Sequence, residues 1–180
     1  ILEIHQSLGI QDYTIKINHL GDSQAKEKFC KSLVSFLEPR IEDLHEKDKV
    51  RLKSNPLRVL DSKEKSTQVL LKNAPKFQDF ISKKSKDFLN DLVNAFKDQC
   101  DIHIDQSLVR GLDYYTGVVF EIVSRELGAQ DAFLGGGRYD NLSNQLGGKD
   151  MYAIGFAIGV ERIIELLNVQ NINQSLKVGF

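Results

Sequence analysis

Tryptophan is absent from the 180 residues, and Cys30 and Cys100 are the only cysteines. Neither belongs to a C-x-x-C pair, and four scattered histidines complete no zinc pattern, so neither a disulfide framework nor a zinc module is expected. Two thiols in a chain of this length point to a reducing compartment, and a cytoplasmic location is expected. No stretch approaches 18 consecutive apolar residues, so no membrane-spanning helix and no membrane partner are expected. Charge of one sign is also lacking. A net charge of −1 gives no whole-chain field of the kind that marks nucleic-acid or membrane-surface binders, so any such contact must be local. There is no Ser-His-Asp or Cys-His pattern, which argues against a side-chain nucleophile.

The ends read as cut. Ile1 opens inside an apolar periodic segment that lacks the marks of a signal peptide, and Leu176-Lys177-Val178-Gly179-Phe180 looks like a strand just starting. A fragment of a longer protein is expected.

Glycine divides what is present. Ten of the thirteen glycines lie between Gly111 and Gly159, and none falls in 41–100. In 1–40, Ile1 to Leu8 closes a helix, and Tyr13 to Asn18 alternates with period two as a strand. Asp22 or Ser23 caps a helix with the stripe Ala25, Phe29, Leu33, Phe36 and Leu37, which stops before Pro39. Residues 41–100 read as a helical insert. Phe77, Phe80, Ile81, Phe88, Leu89, Leu92, Val93 and Phe96 recur at three- and four-residue spacing, with Lys83, Lys84 and Lys86 facing water. Asn55-Pro56-Leu57 marks a turn. The insert holds 13 Lys and Arg against 10 Asp and Glu, a slight excess that a solvated helix face explains more simply than a binding patch.

Residues 101–168 read as strands closing on a helix. The strands are Ile102 to Gln106, Val118 to Val123, Ala132 to Leu134 and Tyr152 to Ile158. The helix runs from Val160 to Leu167, with Ile163, Ile164 and Leu167 on its buried side. Strands joined by loops imply an antiparallel sheet. The fold class is therefore α+β, an antiparallel sheet with flanking helices and an all-helical insertion.

Three segments carry candidate chemistry. Leu108 to Gly117 sets Arg110, Asp113, Tyr114 and Tyr115 between two strands. On a strand the adjacent tyrosines face opposite sides, one supporting the sheet and one reaching a pocket, while Arg110 offers a planar donor fork suited to carboxylate or phosphate. This suits a small zwitterion or a nucleotide, although tyrosines on strands also serve simply as packing. Gly135-Gly136-Gly137-Arg138-Tyr139-Asp140 repeats the arginine-plus-tyrosine theme after a glycine run. That run is either a plain loop or a place where backbone meets a ligand, and it is not a Walker loop. Gly155-Phe156-Ala157-Ile158-Gly159-Val160-Glu161-Arg162 spaces two glycines along a strand that enters a helix. A flat purine could pass there and Arg162 could meet a phosphate, or Gly159 is a bend and Arg162 a surface charge. His103 reads as structural or exposed, and Glu121 and Asp113 as members of a polar network.

At these segments the chain resembles histidyl-tRNA synthetases, a family of class II aminoacyl-tRNA synthetases. Leu108 to Glu121 (LVRGLDYYTGVVFE) is similar to the family's first histidine-binding signature. Gly135 to Leu142 (GGGRYDNL) is similar to its second, and Gly155 to Arg162 (GFAIGVER) to class II motif 3. Asn55 to Lys63 (NPLRVLDSK) resembles part of the helical insertion of the bacterial form.

The resemblance implies a class II synthetase sheet built from 1–40 and 101–168, with 41–100 as the helical insertion domain. Residues 169–180 would form a linker and the start of a truncated anticodon-binding domain. It implies activation of L-histidine by ATP, with Mg²⁺ accompanying the nucleotide on no assigned protein ligand, and transfer to tRNA(His). Arg110 would meet the histidine carboxylate and the α-phosphate together. Tyr115 and Tyr139 would hold the imidazole, with Tyr114, Gly136 and Gly137 completing the histidine site. Arg162 would hold the γ-phosphate of a bent ATP, Gly155 and Gly159 would flank the adenosine, and Glu161 would belong to the same ATP site. Class II motifs 1 and 2, which carry the homodimer interface and a further ATP arginine, are not found here, so this piece alone is expected to be inactive. A regulatory subunit of histidine biosynthesis and an uncharged-tRNA sensor resemble the same fold. Such regulatory subunits match less well at the arginine and tyrosine signatures and lack the insert.

Overall fold

The computed structural model describes residues 2–110, 114–128 and 131–177. A five-stranded sheet in the order β2-β1-β3-β4-β5 forms its centre. The strands are β1 (Thr14–His19), β2 (Ile102–Ile104), β3 (Thr116–Val123), β4 (Ala132–Arg138) and β5 (Ile154–Ile158). The pairs β1/β3, β3/β4 and β4/β5 are antiparallel, and in the last two the strands are consecutive and joined by short connections, as expected. The pair β1/β2 is parallel, with Ile15 opposite Ile102 and Ile17 opposite Ile104. Its physical cause is the connection. A parallel neighbour needs a long crossover, and the whole helical stretch between Leu20 and Asp101 supplies it.

Two short helices, α1 (Leu2–Leu8) and α6 (Leu142–Gln145), lie outside that stretch, which begins with α2 (Ser23–Leu37), capped by Asp22, whose carboxylate accepts from the Ala25 N–H at 2.8 Å. Ala25, Phe29, Leu33 and Leu37 form its buried stripe, and Pro39 turns the chain into a short 3₁₀ segment. Then come α3 (Glu46–Ser54), a 3₁₀ turn at Pro56–Val59, α4 (Lys65–Leu71), a second turn at Phe77–Asp79 and α5 (Lys83–Phe96). The apolar periodicity over 77–96 is thus broken at Ser82, which caps α5 by accepting from the Ser85 N–H. Leu89 is buried, whereas Phe88 and Phe96 stay partly exposed. Lys83, Lys84 and Lys86 face water as expected.

Strand alternation sorts the sheet into two faces. Ile15, Ile17, Phe120, Ile122, Leu134 and Ile158 lie on one face, where α5 and α7 (Val160–Lys177) pack. Among the described side chains of α7, Ile163 and Leu166 are buried, Leu167 is half-buried against the same core and Ile164 is exposed. The expected stripe was rotated by part of a turn, because Leu166, three residues after Ile163, takes the sheet-facing position. The helix backbone continues through Lys177, so the strand expected from Leu176 begins instead as helix, and Val178 to Phe180 lie outside the described residues. Asn18, Val119, Glu121, Gly135 and Gly137 lie on the other face. There Phe29, Leu33, Leu37, Leu52, Leu57, Val59 and Phe77 share one core with Leu108, Val109, Tyr115 and Val119.

The helical stretch is tied together by a buried acid. Asp48, fully buried, accepts from Ser62 at 2.5 Å, from Thr67 at 2.7 Å and from Arg51 at 3.0 Å, joining α3, the turn after Val59 and α4. Removing the carboxylate strands two buried hydroxyls. Asp48→Ala is expected to cost about 2–4 kcal/mol in urea unfolding, with Asp48→Asn costing less. A wild-type midpoint in Asp48→Ala would show that the network carries no stability.

Candidate functional site

Arg110, Tyr114, Tyr115 and Tyr139 meet above the glycines of β4 and β5. Gly135 to Gly137 are neither a loop nor an open cradle. They form the middle of β4, paired to β3 on one side and to β5 on the other. Gly135, opposite Glu121, lies directly beneath the guanidinium of Arg110, and a Cβ there would collide with the fork. Gly137 lies beneath the Tyr115 ring, where a Cβ would sit 2.9 Å from Cδ1 and 2.7 Å from the Val118 carbonyl. Gly155 lies beneath the Tyr139 hydroxyl. Side chains alternate, so Gly136 faces the opposite side of the sheet, against the Gly155 carbonyl, Phe156 and Phe120.

Tyr114 and Tyr115 precede β3 rather than belonging to it, so the strand alternation expected to separate them does not apply. Their rings lie together, with centroids 4.7 Å apart. Tyr139 meets Tyr114 edge-on at 5.6 Å and Tyr115 edge-on at 6.1 Å. The three phenols form one cluster, a packing geometry favoured by the ring quadrupoles. Burial, then the neighbouring Tyr115 hydroxyl, holds the Tyr114 phenol above its ordinary value, so it remains a proton donor at neutral pH. Arg110 lies 5.9 Å from the Tyr115 ring centroid and joins this cluster to the acid across the strand.

That acid is Glu121, which accepts a short ion-paired hydrogen bond from Nη1 of Arg110. Burial pushes the Glu121 carboxyl up. Arg110 pulls it back down, and Asp61 and Asp131 push it up again. Arg110 keeps spare capacity, because its Nε is buried and has no hydrogen-bond partner among the described residues. A buried donor left open on a planar cation is suited to an incoming anion. Arg138 turns to Asp140 at 2.6 Å and stacks on Tyr152, at the margin of the tyrosine cluster.

The motif-3 residues stand at the other end of the same strands. The Gly159 N–H donates to the Phe133 carbonyl at 2.9 Å, which places the start of α7 beside the beginning of β4. Arg162 is half-buried with its stem along Gly159, and Glu161 is exposed on the first turn. Gly155, Gly159 and Arg162 are therefore carried by one strand–helix unit, with Gly155 at the tyrosine end. Gly111, Leu112 and Asp113 lie outside the described residues. His103 is exposed on β2, with β1 between it and Glu121.

Two contributors escaped sequence reasoning. Asp61 comes from the helical stretch, next to the buried Ser62, and its charge reaches Glu121. Asn18 is a fully buried polar residue within an alternating apolar strand. Its position in that pattern was the only available signal, since its partners other than the neighbouring His19 N–H lie 60 to 90 residues away.

The chain is similar to known proteins over most of its length. The histidyl-tRNA synthetase family model matches residues 3–163. The histidine–tRNA ligase of Chlorobium phaeovibrioides is 39% identical over 179 residues, covering 98% of this chain and 42% of that protein. The histidine–tRNA ligase of Wolbachia pipientis subsp. Culex pipiens is 45% identical over 155 residues, covering 86% and 38%. Among solved structures, apo S. aureus histidyl-tRNA synthetase superposes with a TM-score of 0.70 at 30% identity, covering 94% of this chain and 42% of that one. The chain thus spans about two fifths of the length of these relatives.

The glycine floor and the half-buried pair each give a measurable expectation. Gly135→Ala should displace Arg110 and cost about 1–3 kcal/mol in chemical denaturation. An unchanged midpoint would mean that the fork does not rest on the strand. Because burial raises the Glu121 pKa, the folded chain holds that proton more tightly than the unfolded chain. Its stabilising contribution is complete below the ordinary value of 4.5 and is lost as pH rises through the raised value. Glu121→Gln should flatten this part of the stability–pH curve, and a curve of unchanged slope would contradict the assignment.

Proposed function

Because the chain belongs to the histidyl-tRNA synthetase family, we propose that it is the part of a histidine–tRNA ligase that holds the amino acid and the reacting phosphate. The observation that carries this reading is Arg110. Its fork lies flat over Gly135, Glu121 fixes one nitrogen, and its buried Nε has no partner among the described residues.

In the proposed reaction a carboxylate oxygen of histidine attacks the α-phosphorus of ATP. The bond from that phosphorus to the bridging oxygen breaks, pyrophosphate leaves and histidyl-adenylate forms. The ribose hydroxyl of tRNA(His) then attacks the acyl carbon and AMP leaves. The first step brings two anions together, so the protein's task is to position them and to neutralise charge at the phosphorus. Arg110 bridges carboxylate and α-phosphate. Tyr115 and Tyr139 flank the imidazole, with Tyr114 behind them and the Gly136–Gly137 backbone beneath. Polar groups left unpaired by a wrong amino acid would supply the discrimination. Arg162 takes the terminal phosphate, Gly155 and Gly159 lie along the adenosine, and Glu161 lines the same site. Magnesium supplies charge neutralisation on the triphosphate when bound. Among the described residues no three His, Cys, Asp or Glu side chains form a metal cage, so none is assigned to it. The intact ligase would act in the cytoplasm as a homodimer through segments other than these, and the 180-residue chain by itself would not turn over.

Histidine-dependent ATP–pyrophosphate exchange by the intact protein that carries this chain tests the reading. Exchange should require histidine, and Arg110→Ala should lower kcat by about a hundred- to a thousandfold. Exchange that survives Arg110→Ala would remove Arg110 from the reacting phosphate. Histidine binding without exchange would identify a regulatory or sensor protein, and turnover by the isolated chain would show that the site is complete without further segments.

A further inference from the structure

We infer that Asn18 and Gln78 are positioning residues, a hydrogen-bonded link through which the helical stretch between β1 and β2 sets the place of Arg110. This rests on the ligase reading for its catalytic consequence, and on hydrogen bonds and packing for the link itself.

The carboxamide of Asn18 is fully buried and every direction of it is used. Its Nδ2 donates to the Leu108 carbonyl at 2.9 Å and to the Gln106 carbonyl at 3.4 Å. Its Oδ1 accepts from the His19 N–H at 2.8 Å and from Gln78 Nε2 at 3.0 Å. Two backbone carbonyls on one side and a backbone N–H on the other fix which end of the amide is which. The segment that Asn18 grips leads straight into Arg110. It is held again by the Asp105 N–H, which donates to the Ile17 carbonyl at 2.9 Å, and by Leu108 and Val109, both buried. Gln78 comes from the Phe77–Asp79 turn, and Phe77 packs on Phe29 of α2 with ring centroids 4.3 Å apart.

Arg110 is thereby held at both ends. Glu121 holds its fork, and Asn18 holds the backbone two residues before it. The fork rests directly above Gly135, where the strand has no side chain. A shift of the Phe77–Asp79 turn moves Gln78, loosens Asn18 and carries the 106–110 segment with it. Neither Asn18 nor Gln78 has a place in contact with the reacting atoms, so both act through Arg110.

The test uses Gln78→Met, which keeps length and removes the donor, and Gln78→Glu, which sets an acceptor against Asn18 Oδ1. Both are made in the intact protein, alone and with Arg110→Lys. Peptide-level deuterium exchange and thermal melting accompany pyrophosphate-exchange kinetics. Both variants should lower kcat about tenfold with KM for ATP nearly unchanged and melting little altered. Neither should cost anything further in the Arg110→Lys background. Exchange across 105–110 should quicken while that across β4 stays as in wild type. An unchanged kcat, or a full additional loss beside Arg110→Lys, would overturn the inference. If the wild-type protein shows no histidine-dependent exchange, the ligase reading fails, and deuterium exchange alone judges the link. Faster exchange across 105–110 supports it, and unchanged exchange sinks it.

Discussion

A guanidinium can lie flat on a β-sheet only where the strand beneath it has no side chain, and the site depends on that constraint. Gly135, Gly137 and Gly155 remove the Cβ atoms from one patch of the sheet, and Arg110, Tyr115 and Tyr139 fill the space. Three consecutive glycines would make a poor strand in isolation, since each costs up to about 1 kcal/mol of backbone entropy relative to alanine. β4 tolerates them because it is internal to the sheet, with ladders to β3 and β5. On the reverse face Gly136 lets Phe120 and Phe156 approach the same strand, so the glycine run serves both layers.

The electrostatics follow from that close seat. Arg110 and Glu121 are both only partly exposed, and burial penalises the carboxylate while the arginine rewards it. Lone arginines over a sheet would hold any anion strongly. Here Glu121 occupies one nitrogen, and Asp61 and Asp131 add negative potential around it. The arrangement keeps a directed donor available while limiting the net positive charge. On the proposed reading this matters, because the site must release pyrophosphate and AMP as well as bind ATP. The tyrosines contribute direction rather than charge, with Tyr139 packed edge-on against Tyr114 and Tyr115.

Much of this was legible in the residues. The period-two run at Tyr13 to Asn18, the Asp22 cap and the stripe of α2 depend on local chemistry, and the structure reproduces them. The three site segments were legible by residue type, and the fold brings Arg110, Tyr114, Tyr115 and Tyr139 together. What local pattern could not give was partnership across the chain. The parallel β1/β2 pair depends on where the crossover returns, and neither strand records it. The glycine run resembled a loop because glycine in a strand is stable only with neighbours on both sides, and those neighbours come from elsewhere in sequence. The exposure of Ile164 and the burial of Leu166 reflect which side of α7 the sheet approaches. Asn18, Asp48 and Asp61 were missed for the same reason, since a polar residue reveals its role only through its partners.

The topology gives the helical stretch a larger part than its sequence position suggests. It connects β1 to the neighbouring strand β2, so both of its ends are anchored in the sheet that carries Glu121. It also shares its core with Leu108, Val109 and Tyr115, the residues on either side of Arg110. A segment anchored in this way cannot move as an independent appendage. Displacement of its 3₁₀ turns is felt at Val59, at Phe77 and at Gln78, all of which bear on the face where the arginine sits. Chemistry that relies on positioning two anions, with no side-chain nucleophile to compensate for poor geometry, is sensitive to displacements of this kind. The same packing that stabilises the helical stretch therefore makes it part of the machinery that aims Arg110.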